Sequence, residues 1–458
     1  MVRETRLVSR AAGLRTSGAA LLHSTIALAL LVGLANASSA FGATPLPYQS
    51  AGKHLGVATC ASSVCHGSVV RSTGHDVRLD EFVTWSHEDR HAQAYIALTS
   101  EKGRAIASRL GIADPRQAKE CLDCHSDNVP VARRGPAFTI SDGVSCEACH
   151  GGSEPWLKSH AARNATHQQN IVRGLYPTAE LHERVSLCLS CHAGNEDKFA
   201  THRIMGAGHP RLAFELDTFL ALEPPHYEID DDYARRKPTY PRTRVWAYGQ
   251  LAATQEQLQL LQGPMIRSPS FLPELALLDC HSCHENPLHR SDWSRGALTR
   301  LAAPGSVPFA SGHLKMTLII ARRLDPGLAD KMVLQAEKLQ QSAAGSREQI
   351  ITASALLSQS VARAIELADA QTWGREDSAR LLPEILELGS RGECRDYITA
   401  EQAVMATELL MIDLGIAARY RKELDAMYRI LRDDDAYRPD QLREQMASLW
   451  TSIKAADQ

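Results

Sequence analysis

Cysteine and histidine recur at a fixed spacing in five places of this 458-residue chain. Four segments have a Cys, two spacer residues, a second Cys and then a His, at residues 121–125, 146–150, 188–192 and 280–284. Residues 60–66 have the same Cys-His ending, with four residues between the cysteines. Composition alone would supply about 0.01 copies of the regular pattern, so its recurrence is not accidental.

This spacing is typical of covalent haem attachment. Two thiols must reach the two vinyl groups on one porphyrin edge, and the next residue must reach the iron, which a single turn of chain can satisfy. We therefore predict five covalently bound c-type haems. The predicted attachment residues are Cys60, Cys65, Cys121, Cys124, Cys146, Cys149, Cys188, Cys191, Cys280 and Cys283. The predicted proximal iron ligands are His66, His125, His150, His192 and His284.

Structural zinc and disulfides are the alternatives for paired cysteines. A zinc site does not require a histidine directly after each second cysteine, but all five pairs have one, although histidine supplies only 19 of 458 residues. The pattern therefore favours haem. Cys394 lies outside every motif and has no predicted role.

The distal iron ligands must come from the remaining histidines. All 18 histidines beyond residue 43 lie between His54 and His313, so 13 remain for at most five distal positions. His202 and His209 follow the fourth motif closely, and Pro210 is expected to begin a helix that runs to residue 220. His160 follows the third motif beyond a Gly-Gly turn.

A helix predicted within residues 81–100 places His87 and His91 on one face. The predicted distal ligands are His91, His160, His202 and His209. Five histidines stay open as alternatives without a local argument, namely His54, His75, His182, His226 and His313. His281, inside the fifth motif, is expected to be exposed or bonded to a propionate.

The first 43 residues are typical of an export signal. Four arginines precede a short apolar run at residues 25–35, and small residues follow, with cleavage expected at about residues 37–43. The apolar run is shorter than the roughly 20 residues that span a bilayer. We expect a periplasmic or otherwise exported protein with no transmembrane segment after cleavage; an uncleaved anchor is the alternative.

The rest of the chain is predicted to be mainly α, with little sheet and much loop. Residues 44–310 are expected to form a pentahaem cytochrome c domain, and residues 311–458 a C-terminal helical domain, because histidines end at His313. Ser346 and Gln349 form a predicted capping box, Thr399 is expected to open another helix, and residues 250–261 a further one. We expect the C-terminal helices to shield the haems; docking a partner is the alternative.

Residues 56–192 resemble the multihaem cytochromes typified by cytochrome c-554, which are related in haem arrangement to hydroxylamine oxidoreductase. Three features carry the resemblance: Trp85 followed by His91-Ala-Gln-Ala, the segment Gly-Val-Ser-Cys-Glu-Ala-Cys-His-Gly at residues 143–151, and His160. The resemblance implies that His160 caps the iron of His66 and that His91 caps the iron of His150. It also implies an open distal position at the iron of His125, which the spare histidines could close. In this family the haems pack as parallel and perpendicular pairs that pass electrons in the periplasm.

Three features depart from this family: the elongated first motif, the fifth motif and the long C-terminal region. Two functions remain. The first is electron transfer between redox protein partners, with every iron held by two histidines. The alternative is an oxidoreductase whose five-coordinate haem at His125 acts on a small nitrogen or sulfur compound. With 50 basic against 53 acidic residues, no nucleic-acid partner is expected.

Overall fold

The computed structural model describes residues 44–72, 77–267, 274–284, 307–434 and 436–456. The predicted export signal at residues 1–43 lies outside these residues, as do His75 and His289. Within the described residues there are helices but no β-strand, and only two isolated β-bridges occur. The prediction of a mainly α fold is confirmed.

Residues 44–237 are here called the motif region, and their described part contains eleven short α-helices of 4–12 residues joined by loops and 3-10 turns. They are α1 Glu81–Glu88, α2 Ala94–Thr99, α3 Glu101–Leu110, α4 Lys119–His125, α5 Cys146–His150, α6 Leu157–His160, α7 His167–Val172, α8 Leu181–His192, α9 His202–Gly206, α10 Leu216–Leu222 and α11 Asp231–Arg236. The 3-10 turns are Val57–Thr59, Arg90–Gln93, Val131–Arg133 and Ile140–Asp142.

Longer helices dominate the rest of the chain. They are α12 Arg242–Leu260, α13 Pro264–Arg267, α14 His281–His284, α15 Gly312–Leu324, α16 Pro326–Ser342, α17 Arg347–Ala370, α18 Arg375–Ser390, α19 Tyr397–Asp413, α20 Arg421–Ile430 and α21 Pro439–Ala456, with 3-10 turns at Leu275–Leu277 and Ala417–Tyr420. We call α12 together with α15–α21 the helical bundle.

Helix α17 shows how the bundle is built. Its N-terminus has the predicted capping box, in which Ser346 accepts from the Gln349 N–H and the Gln349 side chain accepts from the Ser346 N–H. One face buries Ile350, Leu357 and Val361 against α12 and α16. In the described part of the chain, α17 alone is long and apolar enough to cross a membrane, and its packing is that of a core helix.

Helix α12 connects the motif region to the bundle. It begins eight residues before the predicted start and is buried on nearly every side, because it packs against α15 and α17 as well as α8 and α10. Residues 44–458 accordingly form one compact unit. The division into domains at residue 310 stays a prediction.

Three predicted helix limits are corrected. The helix expected within residues 81–100 ends at Glu88, because buried Asp89 is extended and its side chain accepts from the His91 N–H. No helix begins at Pro210; α10 begins at Leu216, where Glu215 caps two backbone N–H groups. Helix α19 begins two residues before Thr399, with Asp396 as its N-cap.

Candidate haem-binding sites

Each motif histidine faces one other histidine across a gap. The ring centres are 6.0–6.3 Å apart in all five pairs. The pairs are His66 with His160, His125 with His209, His150 with His226, His192 with His91 and His284 with His202. The motif histidine alone does not identify its pair, because the partner histidine always comes from another segment of the chain.

The separation matches what an iron held between two imidazoles requires. A metal–nitrogen bond of about 2 Å on each side, added to the radius of each five-membered ring, separates the ring centres by about 6 Å. The ring planes are 15° apart for His66 and His160, and 36° apart for His284 and His202. In the other three pairs they are nearly perpendicular, at 87–90°. The residues therefore fit a six-coordinate haem at every motif.

All four predicted distal histidines take part in such pairs, but one pairing is corrected. His91 faces His192, whereas the resemblance implied that it would face His150. His226 lies opposite His150 instead. His91 lies on the separate 3-10 turn Arg90–Gln93, where a continuous helix over residues 81–100 was expected.

The distal side of the second motif is also closed. His209 lies 6.2 Å from His125, where the resemblance implied an open position. Gly208 turns the chain there with a φ of +105°, a conformation that favours glycine. The backbone carbonyl of the preceding residue, Ala207, accepts from the Arg109 guanidinium. These contacts hold His209 at the end of the loop that follows α9.

Two hydrogen-bonded contacts position His202, one at the start of α9 and one from a residue that precedes the fifth motif. Thr201 caps α9 by accepting from the Ile204 N–H, which places His202 at the first position of the helix. The His202 N–H donates to the Glu274 carboxylate at 2.7 Å, a few residues before the fifth motif. The ring of His202 thereby comes to lie 6.1 Å from that of His284.

Hydrogen bonds at Nδ1 orient several of these rings. His66 Nδ1 lies 3.0 Å from the Glu81 carboxylate, and His91 Nδ1 lies 2.9 Å from the Asp89 carboxylate. His125 Nδ1 donates to the Ala94 carbonyl at 2.9 Å. His209 Nδ1 similarly donates to the Pro210 carbonyl at 2.7 Å. Such bonds leave Nε2 of each ring to act as a metal ligand, which is the usual arrangement for ligating histidines.

The first four motifs surround one continuous cavity of about 2230 Å³. Ordinary ligand pockets measure roughly 300–1,000 Å³, so this space suits several large groups rather than one. All eight cysteines of these motifs line it, as do their four histidines and the partners His91, His160, His209 and His226. The fifth motif does not contribute to its lining.

Thiols from different motifs approach each other in two places. The neighbouring thiol of Cys146 lowers the pKa of Cys60, and the neighbouring thiol of Cys124 lowers the pKa of Cys191. Burial raises the pKa of Cys188 to about 12 and raises that of Cys149 as well. The first motif is therefore next to the third, and the second is next to the fourth.

The fifth motif is attached to the helical bundle. The His281 ring lies 6.3 Å from that of Tyr397 and 6.1 Å from that of Tyr437, so it packs between aromatic rings and is not freely exposed. Asp279 accepts from the Ser282 hydroxyl, and burial raises its pKa. The C-terminal helices thus hold this motif from one side.

The other open candidates have different partners. His54 is fully buried with Nδ1 at 2.7 Å from Asp127. His182 bonds Tyr248 through one ring nitrogen and Asp369 through the other. His313 donates from Nδ1 to the Gln250 side chain at 2.9 Å. None of the three is paired with a motif histidine, and His87 is exposed.

The zinc alternative lacks the necessary cluster. In the described ranges, one group of three potential metal ligands lies within 4.8 Å, and it consists of Asp89, His91 and Glu223 without any cysteine. No disulfide joins any of the eleven cysteines in this structure. Tetrahedral zinc would need cysteines and histidines gathered around a single point. The arrangement favours haem attachment over zinc or disulfides.

The sequence leaves His226 open as a distal candidate and offers no strong argument that ranks it above the others. It lies 34 residues after His192, in a loop that follows α10. The one local signal is the pair Pro224-Pro225 directly before it, which stiffens the backbone. His226 could therefore have been ranked with His209, which has a proline on its other side.

Residues 59–151 match the protein family described as cytochrome c554 and c-prime. This match spans about a fifth of the chain and includes the first three motifs and His91. No curated protein and no solved structure matches the chain. The fourth and fifth motifs are thus interpreted from their spacing and geometry.

Proposed function

We propose that this chain, a multihaem c-type cytochrome similar over residues 59–151 to cytochrome c554 and c-prime, carries electrons between redox proteins outside the cytoplasm. The family match supports covalently bound c-type haem and a haem-based electron-transfer role. The count of five haems, the export to the periplasm and the redox partners are parts of the proposal. They are supported by the five motifs and by the signal-like first 43 residues.

The observation that carries the proposal is the set of five histidine pairs at 6.0–6.3 Å. When bound, haem would supply reversible one-electron chemistry at its iron. The chain would hold each haem through two cysteines and two imidazoles. An iron held by an imidazole on each side would exchange electrons without binding a substrate.

The arrangement of the motifs supports conduction along the chain. Four motifs share one cavity, and close thiols join the first motif to the third and the second to the fourth. His202 and His209 lie seven residues apart on one segment, so this segment serves both the fifth site and the second. Neighbouring sites held this closely favour electron transfer among them.

The alternative oxidoreductase requires an open iron at His125. His209 lies opposite that residue at 6.2 Å, and its Nδ1 is held by the Pro210 carbonyl. A substrate would have to displace this histidine before it could bind. The geometry therefore favours an electron carrier over an enzyme.

A haem count tests the covalent part of the proposal. Intact mass combined with a pyridine haemochrome assay should give five haems per chain. Cys60→Ser with Cys65→Ser should give four, and Cys394→Ser, the control for a cysteine outside the motifs, should give five. A colourless product, or haem that acidified acetone extracts, would contradict covalent attachment.

Spin state tests the electron-carrier part. The oxidised protein should show only low-spin signals and should bind neither cyanide nor, when reduced, carbon monoxide. His209→Ala should create one high-spin site that binds carbon monoxide, and His87→Ala, which changes an exposed histidine, should create none. A high-spin site in the unmodified protein would favour the oxidoreductase instead.

A further inference from the structure

We propose that Glu81 and Asp89 hold the reduction potentials of two sites, those of His66 and His192, below the potential of the His125 site. These carboxylates act through the axial histidines and are therefore positioning residues. The inference rests on the proposed function and deepens it, because it gives the electron carrier an internal direction.

Both carboxylates are aimed at the outer nitrogen of an axial histidine. Glu81 lies 3.0 Å from His66 Nδ1, and Asp89 lies 2.9 Å from Nδ1 of His91, the residue opposite His192. Their side chains are only 17% and 6% exposed. Glu223 also offers a ligand atom within 4.8 Å of those of Asp89 and His91, which adds negative charge at the same place.

Other contacts fix these two carboxylates. The second oxygen of Glu81 accepts from the Arg78 N–H at 3.1 Å, at the start of α1. Asp89 also accepts from the His91 backbone N–H at 2.9 Å, which caps the 3-10 turn that carries His91. Each carboxylate therefore keeps one orientation relative to its imidazole.

The His125 site provides a comparison within the same molecule. His125 Nδ1 donates to the Ala94 carbonyl, and the opposite ring, His209, donates to the Pro210 carbonyl. Both acceptors are neutral. The three sites thus have similar ring separations but different charges behind the rings.

A charged acceptor at Nδ1 makes Nε2 a more basic ligand, which favours the oxidised metal. The negative charge itself acts in the same direction, because an oxidised iron carries one more positive charge. Shielding from water preserves both effects. The potentials at His66 and His192 should consequently lie below that at His125.

The order of the sites in space allows this difference in reduction potential to direct electron transfer. The second and fourth motifs are neighbours, since Cys124 and Cys191 line the same cavity and each thiol affects the pKa of the other. Transfer of an electron from the His192 site to the neighbouring His125 site is therefore favourable, because the His125 site has the higher reduction potential. From there the segment that carries both His209 and His202 leads toward the fifth site.

Redox titration of the haem-loaded protein, followed optically and by electron paramagnetic resonance, tests the inference. Glu81→Gln and Asp89→Asn should each raise one of five midpoint potentials, and the two shifted midpoints should differ. Glu81→Asp, which keeps the charge, should shift its midpoint less than Glu81→Gln does. Glu101→Gln, which removes an exposed carboxylate at the start of α3, should leave all five unchanged.

Five low-spin haems with unshifted midpoints in both Glu81→Gln and Asp89→Asn would overturn the inference and leave the proposed function intact. Equal shifts in the Glu101→Gln control would also overturn it, since they would indicate a general effect of charge. Failure of the proposed function looks different, because it gives fewer haems or a high-spin site in the unmodified protein.

Discussion

The motif region and the helical bundle are both helical, but they bury their surfaces in different ways. The bundle helices have 10–24 residues and pack against each other, with Leu357, Ile385 and Leu410 fully buried. The motif-region helices have 4–12 residues and surround a cavity of about 2230 Å³ lined by thiols and imidazoles.

This contrast indicates what each region needs in order to fold. An isolated helix shorter than about 12 residues is marginal in water, so the motif region depends on tertiary contacts. Its own side chains leave a large cavity at the centre, and bound haem would provide the missing contacts. The bundle supplies its contacts from its own apolar side chains.

The largest expected effect follows from withholding haem. A chain with all ten motif cysteines changed to serine should lose slow amide exchange in α1–α11 while the bundle retains it. Hydrogen exchange followed by mass spectrometry measures this difference directly. Cys394→Ser, with all motifs intact, is the control and should protect both regions; equal protection of both regions without haem would remove the contrast.

A single distal ligand should affect the motif region alone. His226→Ala removes the ring opposite His150, so one site of five should become high-spin. The thermal unfolding of the bundle should not change, because His226 lies in a loop outside it. Optical spectra and differential scanning calorimetry check the two outcomes. His182→Ala is the control histidine: its ring faces Tyr248 and Asp369, and its loss should leave every haem low-spin.

A core substitution in the bundle should have the opposite pattern. Leu357→Ala opens a cavity in α17 and should lower the free energy of unfolding by about 2–5 kcal/mol, without changing the haem spectrum. The neighbouring residue offers a matched control, since Leu356 is 44% exposed and Leu356→Ala should cost far less. Similar losses in urea unfolding for both variants would show that α17 is not a core helix.

The two regions also differ in how far the sequence predicts them. The capping box at Ser346 and the apolar face of α17 are local patterns, and the structure has both. The motif histidines are likewise local, because each follows its cysteine directly. Such features depend on nearest neighbours along the chain, so they are accessible without knowledge of tertiary contacts.

The pairing of histidines is harder to predict from the sequence, because it depends on tertiary contacts. His160, His202 and His209 lie within about 20 residues of a motif, and their role was predicted. His226 has no such neighbour, and His91 lies beyond a helix break at Asp89, whose side chain accepts from the His91 N–H. Periodicity cannot reveal that break, since Phe82, Trp85 and Tyr95 continue a helical pattern across it.

The smallest expected effect concerns pH and sharpens the bundle side of the comparison. Burial and, to a lesser degree, the charge of Arg211 lower the pKa of His313 to about 4. The unfolded chain binds this proton below about pH 6.5, whereas the folded chain does not, so stability falls as the pH drops from about 6.5 to about 4. His313→Asn should abolish this part of the pH dependence, roughly 1–3 kcal/mol, because an asparagine does not titrate.

Urea unfolding of the unmodified protein and the variant at pH 7 and pH 4.5 isolates the contribution of His313, since the carboxylates common to both proteins cancel in the difference. If the two proteins differed in free energy of unfolding by the same amount at both pH values, the folded imidazole would accept its proton as readily as the unfolded one. The surroundings of His313 and Gln250 would then be more open to water than the packing of α12 and α15 indicates.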